Sequence, residues 1–100
     1  MKLKLTNEEL TIFLLNIQRT DGVTFNTRLE QRMSICILKD FIKRLLKKAV
    51  DQKAKISIDV DDQTMLVLAF IMPQIQIENM HSKSVFYTIF SEIHRLCQSI

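Results

Sequence analysis

At 100 residues the chain suits one domain and is too short for two that each bury a core of their own. Apolar residues make up 47% of it and charged residues 25%, enough hydrophobic surface for a packed core without disulfide staples, at a mild net charge of +3. One Gly and one Pro leave little of the turn punctuation that sandwiches, barrels and Gly-rich phosphate loops require, so a mainly α fold is expected.

Lys2-Leu3-Lys4-Leu5 alternates polar with apolar, a period-two signal for a short strand over 2–5. It leads into Thr6-Asn7-Glu8-Glu9, where Thr6 can accept from the amide of residue 9 while Glu9 reaches back to the amide of Thr6, a capping box. Leu5 and Leu10 flank the cap as a hydrophobic staple, and Leu10, Phe13, Leu14 and Ile17 recur at helical spacing, so a helix is predicted over about 7–19. Asp21-Gly22 breaks it. A second alternating segment, Val23-Thr24-Phe25, follows.

Asn26 or Thr27 can cap the next helix, predicted over about 27–52, with Leu29, Met33, Cys36, Ile37, Phe41, Leu45 and Val50 as its apolar stripe. Lys39, Lys43, Arg44, Lys47 and Lys48 occupy another side of it. Ile56-Ser57-Ile58 gives a third strand-like segment, and Asp59, Asp61 and Asp62 supply a cap and a favourable first turn to a helix over about 60–72. That helix is apolar on nearly every side and should be the most buried, stopping before Pro73. Ile75-Gln76-Ile77 is the fourth alternating segment, and a last helix is expected over about 83–99 with Val85, Phe86, Ile89, Phe90, Ile93, Leu96 and Cys97 inward. With 2–5, 23–25, 56–58 and 75–77 as strands the chain would be α+β with a small sheet; as linkers, the same segments would tuck their apolar side chains against the helices.

The order of these segments points to two pseudo-repeated units, about 1–52 and 53–100. Leu3, Leu5, Thr6 and Glu9 match Ile56, Ile58, Asp59 and Asp62, 53 positions on. Val23 and Phe25 match Ile75 and Ile77, and Ile37, Leu38, Phe41 and Leu45 match Ile89, Phe90, Ile93 and Cys97, 52 positions on.

Little of the polar chemistry converges. Asp59-Val60-Asp61-Asp62 lacks the Gly and Glu that an EF-hand loop needs at its sixth and twelfth positions, so helix capping accounts for it. His94 and Cys97 share a helix face but make only two ligands, and His81 is expected in a solvated loop; no metal, no cofactor and no catalytic residue is predicted. Cys36 and Cys97 read as reduced thiols on amphipathic helices. The N-terminus shows no apolar leader, and the longest uncharged run, Gln63 to Ile77, is too short and too polar to span a bilayer, so a cytoplasmic protein without a membrane partner is expected.

The remaining feature is basic. Residues 39 to 55 hold Lys39, Lys43, Arg44, Lys47, Lys48, Lys53 and Lys55 against Asp40 and Asp51, which makes Lys39, Lys43, Arg44, Lys47 and Lys48 the candidate contact for a polyanion or an acidic partner. The leading expectation is a non-catalytic protein-interaction module, acting as a homodimer because its helices carry more apolar surface than a 100-residue bundle hides. The alternative is a nucleic-acid-binding accessory protein that uses the basic face of the 27–52 helix.

Overall fold

The elements follow the order strand, helix, helix, strand, helix, helix: β1 (Lys2–Thr6), α1 (Asn7–Ile17), α2 (Arg28–Val50), β2 (Lys55–Asp59), α3 (Asp62–Ile71) and α4 (Met80–Cys97), with a 3-10 turn at Met72–Gln74. The computed structural model describes residues 1–50 and 54–100. The fold is mainly α with one small sheet: β1 and β2 pair antiparallel as a two-stranded ribbon. A radius of gyration of 12.9 Å matches the roughly 13 Å expected of a compact 100-residue domain.

Each helix starts at a side-chain cap. Thr6 Oγ1 accepts from the Glu9 amide at 3.2 Å while Glu9 Oε1 accepts from the Thr6 amide at 2.9 Å, completing the predicted capping box. Thr27 accepts from Glu30, Asp61 from Thr64 at 2.7 Å, and Asn79 from Ser82. With Asn79 as its cap, α4 begins at Met80, three residues ahead of the predicted Lys83, which places His81 on the helix rather than in a loop. α3 ends at Ile71, and Pro73, which has no amide to donate, sits in the first turn of the 3-10 segment.

The core is centred on Phe13 of α1, whose ring meets Phe41 of α2 edge-on at 6.1 Å and Phe86 of α4 at 6.3 Å. Leu3, Leu5, Ile56 and Ile58 close it from the ribbon side, and Met65, Leu68 and Ile71 line it from α3. α3 is less enclosed than its sequence implies, because Leu66 and Phe70 stay exposed; Phe70 is only partly covered, by Phe25 at 5.7 Å.

Of the four alternating segments, 2–5 and 56–58 form the sheet and the other two are linkers. Gln74 occupies the backbone of Thr24, its Oε1 accepting from the Thr24 amide at 2.9 Å, so 23–25 has a side chain where a strand partner would be. Val23, Phe25, Ile75 and Ile77 pack half-buried against the core instead.

The correspondence between the halves also differs from the sequence alignment. β1 and β2 begin 53 positions apart, but the caps Thr6 and Asp61 lie 55 apart, because Val60 and Asp61 stand between β2 and the helix that follows it. In α2 the buried residues are Leu38, Phe41 and Leu45; in α4 they are Phe86, Ile89 and Ile93, a separation of 48 rather than 52. The difference is one helical turn. An apolar stripe that recurs every three or four residues looks the same after such a slip, so the sequence cannot fix it.

Candidate nucleic-acid interface

The ribbon pairs Lys2 with Asp59, Leu3 with Ile58, Lys4 with Ser57, Leu5 with Ile56 and Thr6 with Lys55. Met1 and Val60 extend the ladder: the Val60 amide donates to Met1 O at 2.8 Å, and the Met1 amine donates back to Val60 O at 3.3 Å. Because side chains alternate along a strand, the register that buries Leu3, Leu5, Ile56 and Ile58 sends Lys2, Lys4, Thr6, Lys55, Ser57 and Asp59 outward together. All of these outward side chains are polar and exposed, three lysines among them against a single aspartate.

The two flanks of the ribbon are unlike. Along β2, Arg44, Lys47 and Lys48 of α2 form a shallow cleft of about 300 Å³ with Ile58 and Asp59. Arg44 Nη1 donates to Asp59 O at 3.2 Å, and its guanidinium lies 5.7 Å from the Phe41 ring centroid. Asp40 Oδ2 stands 3.7 Å from Arg44 Nε, an ion pair one helical turn apart without a hydrogen bond, and that Nε is buried. Along β1, Thr88, Ser91, Glu92 and Arg95 of α4 face Leu3, Lys4 and Glu9. Here Arg95 is paired with Glu92, its Nε donating to Glu92 Oε2 at 3.1 Å, a bond that lowers the pKa of Glu92 and raises that of Arg95. One flank therefore carries three cations beside Asp40 and Asp59, and the other a hydrogen-bonded ion pair.

This divides the candidate residues named from the sequence. Arg44, Lys47 and Lys48 stand beside the ribbon, whereas Lys39 and Lys43, exposed two turns and one turn before Lys47 on the same helix stripe, do not line the cleft. Asp51 and Lys53 lie outside the described residues. Lys2 and Lys4 were not singled out by their charge, although the Lys-Leu-Lys-Leu alternation carried the signal: a strand with leucines inward must put its lysines outward.

The other reactive groups are drawn into structural roles. Cys97 Sγ donates to Met65 O at 3.5 Å, and burial pushes its thiol pKa up, while His94 lies against the Phe90 ring, so the two do not form a pair. His81 contacts Glu8 across the α1–α4 boundary. Asp61 is the cap of α3, its carboxyl held below the usual range chiefly by the Thr64 amide. A cleft of about 350 Å³ beside α4 is lined by Met72, Ile77, Phe86, Tyr87 and Phe90, with Glu78 and Lys83 as its charged groups. Among the described residues, no three His, Cys, Asp or Glu side chains gather as metal ligands, and no helix is long and apolar enough to cross a membrane.

Comparison with known proteins found no matching family model, no matching curated protein and no matching solved structure.

Proposed function

We propose that the protein is a non-catalytic binding module that lays its two-stranded ribbon into the major groove of duplex DNA. The observation that carries this reading is the outward face of the ribbon, with Lys2, Lys4 and Lys55 for phosphates and base acceptors and Thr6, Ser57 and Asp59 for hydrogen bonding. A two-stranded ribbon fits the groove of B-form DNA, about 12 Å wide, and its side chains can reach base edges there. The deep, narrow major groove of A-form RNA does not admit it, and the ribbon offers no aromatic platform on which single-stranded bases would stack. The absence of apolar side chains on this face also disfavours a protein partner, since such interfaces centre on buried aromatic or aliphatic anchors. Arg44, Lys47 and Lys48 extend the basic surface onto the β2 flank, toward the phosphates bordering the groove.

Fluorescence anisotropy with a labelled duplex tests the reading. Binding should weaken steeply with salt, and each Lys→Ala change at Lys2, Lys4 or Lys55 should lower affinity several-fold and flatten the salt slope by about one. Lys39→Ala and Lys43→Ala should do much less. No binding at low salt, or a larger loss from Lys39 and Lys43 than from the ribbon lysines, would overturn it.

A second reading, self-association through the first half of α2, is favoured by the exposure of Leu29 (67%) and Met33 (57%) on a stretch, Arg28 to Ile37, with no fully buried side chain. Size-exclusion chromatography with light scattering checks it: a dimer that Leu29→Glu plus Met33→Glu returns to 11.7 kDa supports it, and a monomer at high concentration rules it out.

A further inference from the structure

The ribbon has a local twofold axis. With strand residues corresponding 53 positions apart, Leu3 opposite Ile58 is the counterpart of Ile56 opposite Leu5, and Lys4 opposite Ser57 is its own counterpart, so the axis passes through that central pair. The geometry is that of two strands from two identical chains, supplied here by one. The chemistry on it is not symmetric. Lys2 and Lys55 correspond and are both lysine, but Lys4 corresponds to Ser57 and Thr6 to Asp59. The flanks differ as well: at the 48-position helix offset, Arg44 and Lys47 beside β2 correspond to Glu92 and Arg95 beside β1.

We infer that a single chain reads one non-palindromic DNA site, the pseudo-symmetric ribbon contacting two unlike half-sites. This rests on the DNA-binding reading above. In the major groove a lysine such as Lys4 favours the O6 and N7 acceptors of guanine, whereas Asp59 accepts from the exocyclic amine of cytosine and repels acceptor-rich edges. Thr6, at the opposite end, can donate, accept or set its methyl against that of thymine. The end bearing Lys2 and Asp59, bordered by Arg44, Lys47 and Lys48, therefore meets a different base pattern from the end bearing Lys55 and Thr6. Lys2 and Lys55 give the two halves a shared anchor, and the remaining positions tell them apart.

The test is selection from a duplex library with a randomised core, using the full chain, followed by stoichiometry on a short duplex carrying the selected site. The expected result is a consensus without dyad symmetry, bound at one chain per duplex. The variant Ser57→Lys with Asp59→Thr, which makes the outward faces of the two strands chemically alike, should shift preference toward a palindrome built from one half-site, by about tenfold or more relative to the wild-type consensus. A palindromic wild-type consensus, two chains on the short duplex, or binding without any consensus would overturn the inference while leaving DNA binding intact. Failure to retain any duplex at low salt would instead remove the DNA-binding reading itself.

Discussion

α4 turns Phe86, Ile89 and Ile93 into the core soon after its first turn, whereas α2 buries nothing fully from Arg28 to Ile37 and is anchored only by Leu38, Phe41 and Leu45. When the helices are aligned on these buried residues, α2 is longer by one turn at its start, and that turn together with the next stays largely exposed. The two helices have similar apolar patterns and nearly equivalent places, yet one is enclosed and the other half free. What separates them is the availability of a surface to pack on, since Phe13 accepts both Phe41 and Phe86 while Leu29 and Met33 stay mostly exposed among the described residues. Apolar periodicity thus identifies the face that can be buried, and tertiary packing selects which part of it is.

The sharpest way to break this comparison is to truncate α2 in each of its halves. Phe41→Ala removes a fully buried ring from the centre of the core and should cost about 3–5 kcal/mol in denaturant unfolding. Met33→Ala, on the exposed half, should stay within about 0.5 kcal/mol. A cost above about 1 kcal/mol for Met33→Ala would mean that the first half of α2 is held by packing after all.

A smaller effect sharpens the comparison between the two helix starts that follow the ribbon strands. Thr6→Ala and Asp61→Ala each remove a cap and should cost about 1 kcal/mol at neutral pH. Only the second is coupled to pH. The Thr64 amide holds the Asp61 carboxyl below its ordinary value of 3.8, so the folded state binds this proton less readily than the unfolded chain. The stabilisation from ionised Asp61 is therefore complete above that ordinary value and is lost as the pH falls through the lower folded value. Unfolding of wild type and Asp61→Asn in parallel should show a gap that is widest above about pH 5 and closes in acid; a gap independent of pH would show that the charge contributes nothing.

The capping box at Thr6 and Glu9, the stop before Pro73 and the inward residues of α1 were legible because each depends on neighbours within a few positions. The Asn79 start was hard to read because the first turn it caps, Met80-His81-Ser82-Lys83, is mostly polar, so Pro73 to Ser82 passes for a loop. In the candidate interface, Arg44, Lys47 and Lys48 were visible as charge, but their separation from Lys39 and Lys43 was not, because that depends on which part of α2 the ribbon lies against.

By itself, then, the sequence determined the helical elements and the alternation that puts Lys2 and Lys4 opposite Leu3 and Leu5. Only the tertiary structure decided that β1 and β2 pair with each other while 23–25 and 75–77 stay unpaired, and that α2 and α4 differ by one turn in register. The reason is physical. Caps and periodicity are set by contacts close along the chain, whereas strand pairing and helix register compare alternatives of nearly equal local energy, and only the packing of distant residues around Phe13 distinguishes them.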